Sequence, residues 1–267
     1  MSWDLRLGSC LDPLTGLASL SDKSVDVTIT DPPYEAEAHT LQRRQKGMVT
    51  IEGSEEYREV NDAALTFAPI TAEERIESAR QIARVTRHCA LVFCQVEAVT
   101  AWRDAFEDTE FSYRRCIPWF KPDAMPSLHG RWPGQSFESI VLATRRKGAR
   151  PCPLGGTSRV YTFTRAQGAA MSQRKGARNS APHPTTKPLQ LMRAIIEDFT
   201  IAGDLVLDGF AGSGTTGIAC SQLGRSFIGW ELSPEYHAIA TRRLNGDEAK
   251  PRKEQPGLFD AITNGAA

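Results

Sequence analysis

Apolar positions along the chain recur at two spacings, two residues and three to four, and the switches between them lay out short strands and amphipathic helices. Val25 to Thr30 is a β-branched run that stops at Asp31-Pro32-Pro33, where two prolines cannot continue a ladder, so a strand is expected to end there. Thr71 with Glu74 forms a capping box ahead of an amphipathic helix running to about Val85. Ala90 to Gln95 reads as a buried strand, Glu97 to Phe106 as a helix, and Tyr113 to Phe120 and Phe137 to Thr144 as strands. Pro188 opens a helix whose Leu189, Met192, Ile195, Ile196 and Phe199 share one face. Asp204 to Asp208 is then a strand, Thr215 to Leu223 a helix, Ser226 to Trp230 a strand and Pro234 to Leu244 a helix with Ser233 as its cap. Alternation of this kind predicts a mostly parallel α/β sheet covered by helices.

Three stretches lack this periodicity. Residues 35–69 are polar, carry Arg43, Arg44 and Lys46, and are too long for an ordinary connection, which suggests a mobile, functional loop. Residues 148–186 are rich in Gly, Ser, Thr, Pro and Gln around a short β-like run at Arg159 to Phe163, and residues 247–267 form a polar tail. The 267 residues bury enough apolar surface for one large domain, placed at 1–246, without disulfides or metals. No stretch of 18 apolar residues is present and Met1 to Leu14 has no apolar signal core, so a cytoplasmic protein without a membrane span is expected. The six cysteines show no C-x-x-C pair and the five histidines no ligand spacing, so reduced thiols and no metal site are expected.

Charge changes the picture. The 32 Lys plus Arg balance the 32 Asp plus Glu, which on its face disfavours a polyanion partner. Mapped along the chain, however, the 58 residues from Ser139 to Ile196 hold eleven cations and no acid. A basic segment is thus attached to an acidic body, and such asymmetry points to a polyanion such as nucleic acid. A solvated basic loop is the bland alternative.

Two short motifs carry chemistry. Asp208-Gly-Phe210-Ala211-Gly212-Ser213-Gly214-Thr215-Thr216 is a glycine-rich turn between strand and helix, where absent Cβ atoms let backbone approach a ligand. Glu231 ends the next strand and can accept from ribose hydroxyls; with Ser233 and Pro234 capping the helix, it is read as free for a ligand. The turn lacks the lysine of a P-loop and the third glycine of a dinucleotide fingerprint, which favours a nucleoside without phosphates. Asp31-Pro32-Pro33-Tyr34 offers a carboxylate and a Pro carbonyl as acceptors for an amino group, beside an aromatic face.

Together these motifs resemble the amino-methyltransferases of DNA that use S-adenosylmethionine, and their order, tetrapeptide first and glycine turn last, resembles the permuted β class. His183-Pro-Thr185-Thr-Lys187-Pro188 and Ile228-Gly-Trp-Glu231-Leu-Ser-Pro-Glu-Tyr236 are similar to two further motifs of that family. Gly8-Ser9 departs from the Gly-Asp of many members, and Gly209 replaces their Pro. The resemblance implies a Rossmann-like methyltransferase fold with a seven-stranded sheet. It implies Asp31 to Tyr34 as the catalytic group, with Ser9, Cys10, Thr185, Lys187, the Asp208–Thr216 turn and Glu231 around the cofactor. It further implies a base flipped from duplex DNA and methylated at adenine N6, with cytosine N4 as alternative. Carbon-5 methylation is disfavoured, because Pro151-Cys152 lies in the basic segment and not at a strand end. A DNA-binding regulator that kept the fold, or an RNA substrate, are the competing readings.

Arg43, Arg44, Lys46, Arg145, Arg146, Lys147, Arg174, Lys175 and Arg178 are the expected DNA contacts, with 145–182 as the target-recognition segment; Trp119, Phe120, Arg131 and Trp132 are further candidates for the base pocket or a wedge, the first two weighed against ending a core strand. Pairing into a homodimer is expected from the class, within a bacterial or phage restriction-modification setting. Gln255, Leu258 and Phe259 in the tail resemble a short sliding-clamp-binding peptide.

Overall fold

The structure is a computed structural model and describes residues 2–34, 68–124, 134–164 and 187–246. Its elements in chain order are β1 (Trp3–Leu7), β2 (Val25–Thr30), α1 (Ala72–Val85), β3 (Thr86–Cys94), α2 (Val99–Glu107), β4 (Phe111–Phe120), β5 (Phe137–Arg145), β6 (Tyr161–Thr162), α3 (Leu189–Phe199), β7 (Leu205–Asp208), α4 (Thr215–Gln222), β8 (Ser226–Glu231) and α5 (Pro234–Leu244). The capping box before α1 is formed in both directions, Glu74 N–H donating to Thr71 Oγ1 at 3.2 Å and Thr71 N–H to Glu74 Oε2 at 2.9 Å.

Among the described residues eight strands make one sheet in the order β1-β8-β7-β2-β3-β5-β4-β6. Seven strands were expected, and the addition is β1, whose Trp-Asp-Leu-Arg-Leu alternates correctly but is short, half charged and only partly buried at the sheet edge. All pairings are parallel except those of β5, which runs antiparallel to both β3 and β4.

Period-2 alternation divides the apolar residues between two helix-covered faces. On β3, Ala90, Val92 and Cys94 face the layer of α1 and α2 with Ile82, Trp102 and Phe106, whereas Leu91 and Phe93 face the layer of α3 and α4 with Leu191, Ile195 and Ala219. Burial on both faces explains why the central strands read as continuous apolar runs. From β2 the chain proceeds outward to β3, whereas from β7 it proceeds the other way to β8. The crevice at the carboxyl ends of β2 and β7 is therefore the switch point of the sheet, the place where open α/β folds hold ligands.

Candidate active site

Both motifs emerge at that switch point. Thr30, the last residue of β2, donates from Oγ1 to Asp208 Oδ1 at 2.8 Å and accepts from Gly209 N–H at 3.2 Å, which fastens the start of the tetrapeptide to the start of the glycine turn. The turn is shaped by Gly212 at φ 54° and Gly214 at φ 80°, a left-handed conformation that residues with a Cβ rarely adopt. Gly214 also packs closely, since a Cβ there would lie 3.0 Å from Ala240 Cβ.

Several side chains assigned to ligand contact also have structural partners. Asp208 is buried, and its carboxylate accepts from Thr30 Oγ1, from Thr216 Oγ1 at 2.7 Å and from Phe210 N–H at 3.0 Å. Burial pushes its pKa up and these donors pull it back, so Asp208 and Thr216 form the inner frame of the turn. Glu231 is not free: Oε2 accepts from Gly212 N–H at 2.8 Å and Oε1 from Ser233 N–H at 2.7 Å, which ties the turn to the end of β8. Each of its oxygens retains a second lone pair for a ligand. Ser9 is exposed after β1, and Gly8 N–H donates to the Glu231 carbonyl at 2.9 Å, so the end of β1 lies against Glu231. Cys10 turns inward beneath Gly209, 3.3 Å from where a Cβ would stand, and burial pushes its thiol up to about 12, leaving it a packing residue. Ala211 and Ser213 are buried, Ala211 N–H donating to the Trp230 carbonyl, while the Thr215 hydroxyl is buried at the head of α4 with no hydrogen-bond partner among the described residues.

The tetrapeptide is embedded in a charged cluster. Lys187, two residues before α3, places Nζ 2.5 Å from Asp31 Oδ2 and 3.3 Å from Glu138 Oε2. Glu138 Oε2 accepts from the Tyr34 hydroxyl at 2.6 Å, and its Oε1 lies 2.5 Å from Lys121 Nζ. The Lys187 ammonium also lies 5.5 Å, 5.1 Å and 5.9 Å from the ring centres of Tyr34, Phe93 and Trp119, within cation–π range. A lysine before a helix N-terminus opposes the dipole, and two carboxylates here supply the compensation. Asp31 Oδ1, by contrast, is buried with no hydrogen-bond partner among the described residues.

Burial, together with repulsion from Glu138 and Asp208, raises the Asp31 carboxyl to about 6 against the pull of Lys187. Burial would raise Glu138 too, but Lys187, Lys121 and the Tyr34 hydroxyl hold it down at about 2. Burial opposes the charge of Lys187, yet the two carboxylates raise its pKa, so it stays an ammonium. Burial and the neighbouring acids raise Tyr34 well above the usual phenol value, which keeps it a hydroxyl donor.

Glu138, Lys121 and the Phe93 wall were missed by sequence reasoning. The signal was a single acid at the head of an otherwise apolar strand, Phe137-Glu-Ser-Ile-Val-Leu142. Reading it required knowing that β5 runs backwards, which brings its first residues to the carboxyl edge. Trp119, read as the end of a core strand, is buried with Nε1 donating to the Phe163 carbonyl at 3.0 Å, and it also walls the site.

The same strand direction removes some expected DNA contacts from this edge. Arg145 ends β5 on the opposite side of the sheet, where it is buried and donates to the Thr86 carbonyl at 2.6 Å, to the Ala83 carbonyl and to Glu110. It is a core cation and not a surface contact. Arg146 pairs with Glu107 at 2.6 Å beside it, and Lys147 follows in the exposed turn. Arg43, Arg44, Lys46, Arg131, Trp132, Arg174, Lys175, Arg178, Thr185, Gln255, Leu258 and Phe259 lie outside the described residues. Among those described, no three His, Cys, Asp or Glu side chains converge into a metal-binding group, and no helix is long and apolar enough to cross a membrane.

Comparison with known proteins bears on the same residues. Type II methyltransferase M.XycI of Xanthomonas campestris pv. cyanopsidis is 33% identical over 160 residues, covering 55% of this chain and 50% of that protein. M.Cfr9I of Citrobacter freundii is 33% identical over 161 residues with the same coverage, so the chain spans about half the length of the curated relatives it matches. Among solved structures, the M1.HpyAVI–SAM complex is similar with a TM-score of 0.62 and 25% identity, over 91% of this chain and 100% of that one. The cytosine-N4-specific PvuII DNA methyltransferase shares the fold at a TM-score of 0.66 and 16% identity, over 98% and 92%. The fold is thus the Rossmann-like methyltransferase fold, and the model of the N6/N4 DNA methylases matches residues 25–242, which contain the tetrapeptide, the basic segment and the glycine turn: the chain belongs to the DNA methylase family.

Proposed function

We propose that this protein is a site-specific DNA methyltransferase that moves a methyl group from S-adenosylmethionine to adenine N6 of a base flipped out of duplex DNA. The observation that carries the reading is Asp31 Oδ1, a buried acceptor with no partner among the described residues, whose other oxygen is held by the same Lys187 that lies over the Tyr34 ring. A buried polar atom in this condition costs free energy until a donor arrives, and an exocyclic amino group is a donor of the right kind. The residues present also fit the cofactor: Glu231 with spare lone pairs at the end of β8, two left-handed glycines, and the Thr215 hydroxyl, which has no partner among the described residues. Similarity to the M1.HpyAVI–SAM complex supports this assignment.

Bound S-adenosylmethionine supplies an electrophilic methyl group. Asp31 Oδ1 and the Pro32 carbonyl accept the two N–H bonds of the amino group and turn the nitrogen lone pair out of conjugation with the ring. As the nitrogen bonds the methyl carbon, the sulfur–methyl bond would break with its electron pair left on sulfur, giving S-adenosylhomocysteine, and one N–H proton would pass by way of the Asp31 carboxylate to water. Lys187 stays charged and holds Asp31 by Oδ2. Tyr34, its hydroxyl tied to Glu138, presents its ring as a stacking face. Acceleration comes from positioning and fixed charge, with no covalent enzyme intermediate.

The Asp at the head of the tetrapeptide favours adenine by the resemblance given above; cytosine N4 presents the same pair of donors. Duplexes offering only adenine or only cytosine as target, methylated and digested to nucleosides, are expected to yield N6-methyldeoxyadenosine. N4-methyldeoxycytidine as sole product would overturn the base assignment. Asp31→Ala is expected to abolish transfer while S-adenosylmethionine binding stays measurable, and absence of any transfer by the natural chain would favour a DNA-binding regulator.

A further inference from the structure

We propose that Glu138 is a positioning residue for the transfer, acting through Lys187 to keep Asp31 Oδ1 open for the amino group. This rests on the function proposed above. Lys187 carries one ammonium between two carboxylates, 2.5 Å from Asp31 Oδ2 and 3.3 Å from Glu138 Oε2. With Glu138 as its second anchor the ammonium stays on the Oδ2 side; without it, Lys187 is free to straddle both Asp31 oxygens and occupy the position the substrate requires. Glu138 is in turn fixed by Lys121 at 2.5 Å and by the Tyr34 hydroxyl at 2.6 Å, so one carboxylate sets both the acceptor and the stacking ring.

The charges facing Asp31 are Lys187 from the lead into α3, Glu138 from β5 and Asp208 from β7, and those facing Glu138 are Lys187, Lys121 and the Tyr34 hydroxyl. Asp31 and Glu138 share the two ammonium groups, with Asp208 a further acid facing Asp31, so removing either outer partner, Glu138 or Lys121, tips the cluster in a known direction. Glu138→Gln leaves Lys187 to Asp31 alone, which stabilises the ionised carboxylate. Lys121→Gln leaves Glu138 less compensated, which draws Lys187 away and destabilises it. A change of this size at hydrogen-bond range moves a carboxyl pKa by about 1 unit.

The experiment follows Asp31 by carbon-13 NMR of labelled aspartate, assigned with Asp31→Asn, and in parallel the pH profile of kcat. Glu138→Gln is expected to move the Asp31 titration and the acid limb of kcat down by about 1 unit, and Lys121→Gln to move both up. For Glu138→Gln, kcat is expected to fall at least tenfold with the Kd for S-adenosylmethionine unchanged. Shifts in the same direction, or none in either variant, would overturn the proposal, because loosened packing has no reason to produce opposite signs. The NMR titration reads Glu138's effect even if the chain methylates nothing, so failure of the functional reading is seen separately as an inactive natural protein with the titration shifts intact.

Discussion

Asp31 and Asp208 close neighbouring strands, and their hydrogen bonds give them opposite duties. Among the described residues Asp208 accepts from Thr30, Thr216 and Phe210, whereas Asp31 keeps one oxygen unpartnered. Asp208→Ala leaves three donors unsatisfied and is expected to cost about 3 kcal/mol or more of unfolding free energy in urea titrations. Asp31 is a strong acceptor for the amino hydrogen, and can take up its proton, only when ionised, and its carboxyl is raised to about 6. Transfer is therefore expected to level off above that pH and to fall about tenfold per unit below it, measured as kcat against pH.

At the scale of elements, local periodicity located nearly every strand and helix, because apolar spacing and caps are written in contiguous residues. Strand direction is not. Nothing between Phe137 and Arg145 states that β5 runs antiparallel, and so the reading placed Arg145 among the DNA contacts and overlooked Glu138, at the other end of the same strand. The candidate site was legible where one motif supplies the whole chemistry, as at Asp31 to Tyr34. It was hidden where partners come from distant strands, as with Lys121, Glu138 and the wall of Phe93. Helix α3 shows the same long-range logic. Lys187 precedes it, while near its far end Asp198 accepts from Tyr161 Oη at 2.7 Å and from Arg159 Nε at 2.6 Å. Asp198→Asn is expected to cost about 2 kcal/mol and to raise amide exchange across Leu154 to Thr162, as followed by hydrogen–deuterium exchange.

For the molecule as a whole, the separation of charge along the sequence is partly undone by folding. Of the eleven cations between Ser139 and Ile196, Arg145, Arg146, Arg150, Arg159 and Lys187 pair with Glu110, Glu107, Asp204, Asp198 and Asp31, all acids from outside that run. Those five hold the structure together, which sharpens the expectation for DNA. Neutralising Arg174, Lys175 and Arg178 is expected to flatten the dependence of log K on log salt by roughly 0.9 per lost phosphate contact. Neutralising Arg150 or Arg159 should lower stability and leave that slope in place. Binding isotherms from low to physiological salt separate the two groups.

The anchoring of the basic run also marks where recognition can be exchanged. Phe163 is fixed to the end of β4, its N–H donating to the Phe120 carbonyl and its own carbonyl accepting from Trp119, and Lys187 is fixed to Asp31. Both anchors, and Thr185 expected beside the cofactor, lie outside the interval from 164 to 182. If this interval reads DNA as the basic run leads one to expect, a segment from another DNA methylase spliced between Phe163 and His183 would inherit two moorings already built into the sheet, and the base methylated would stay the same while the flanking sequence changed.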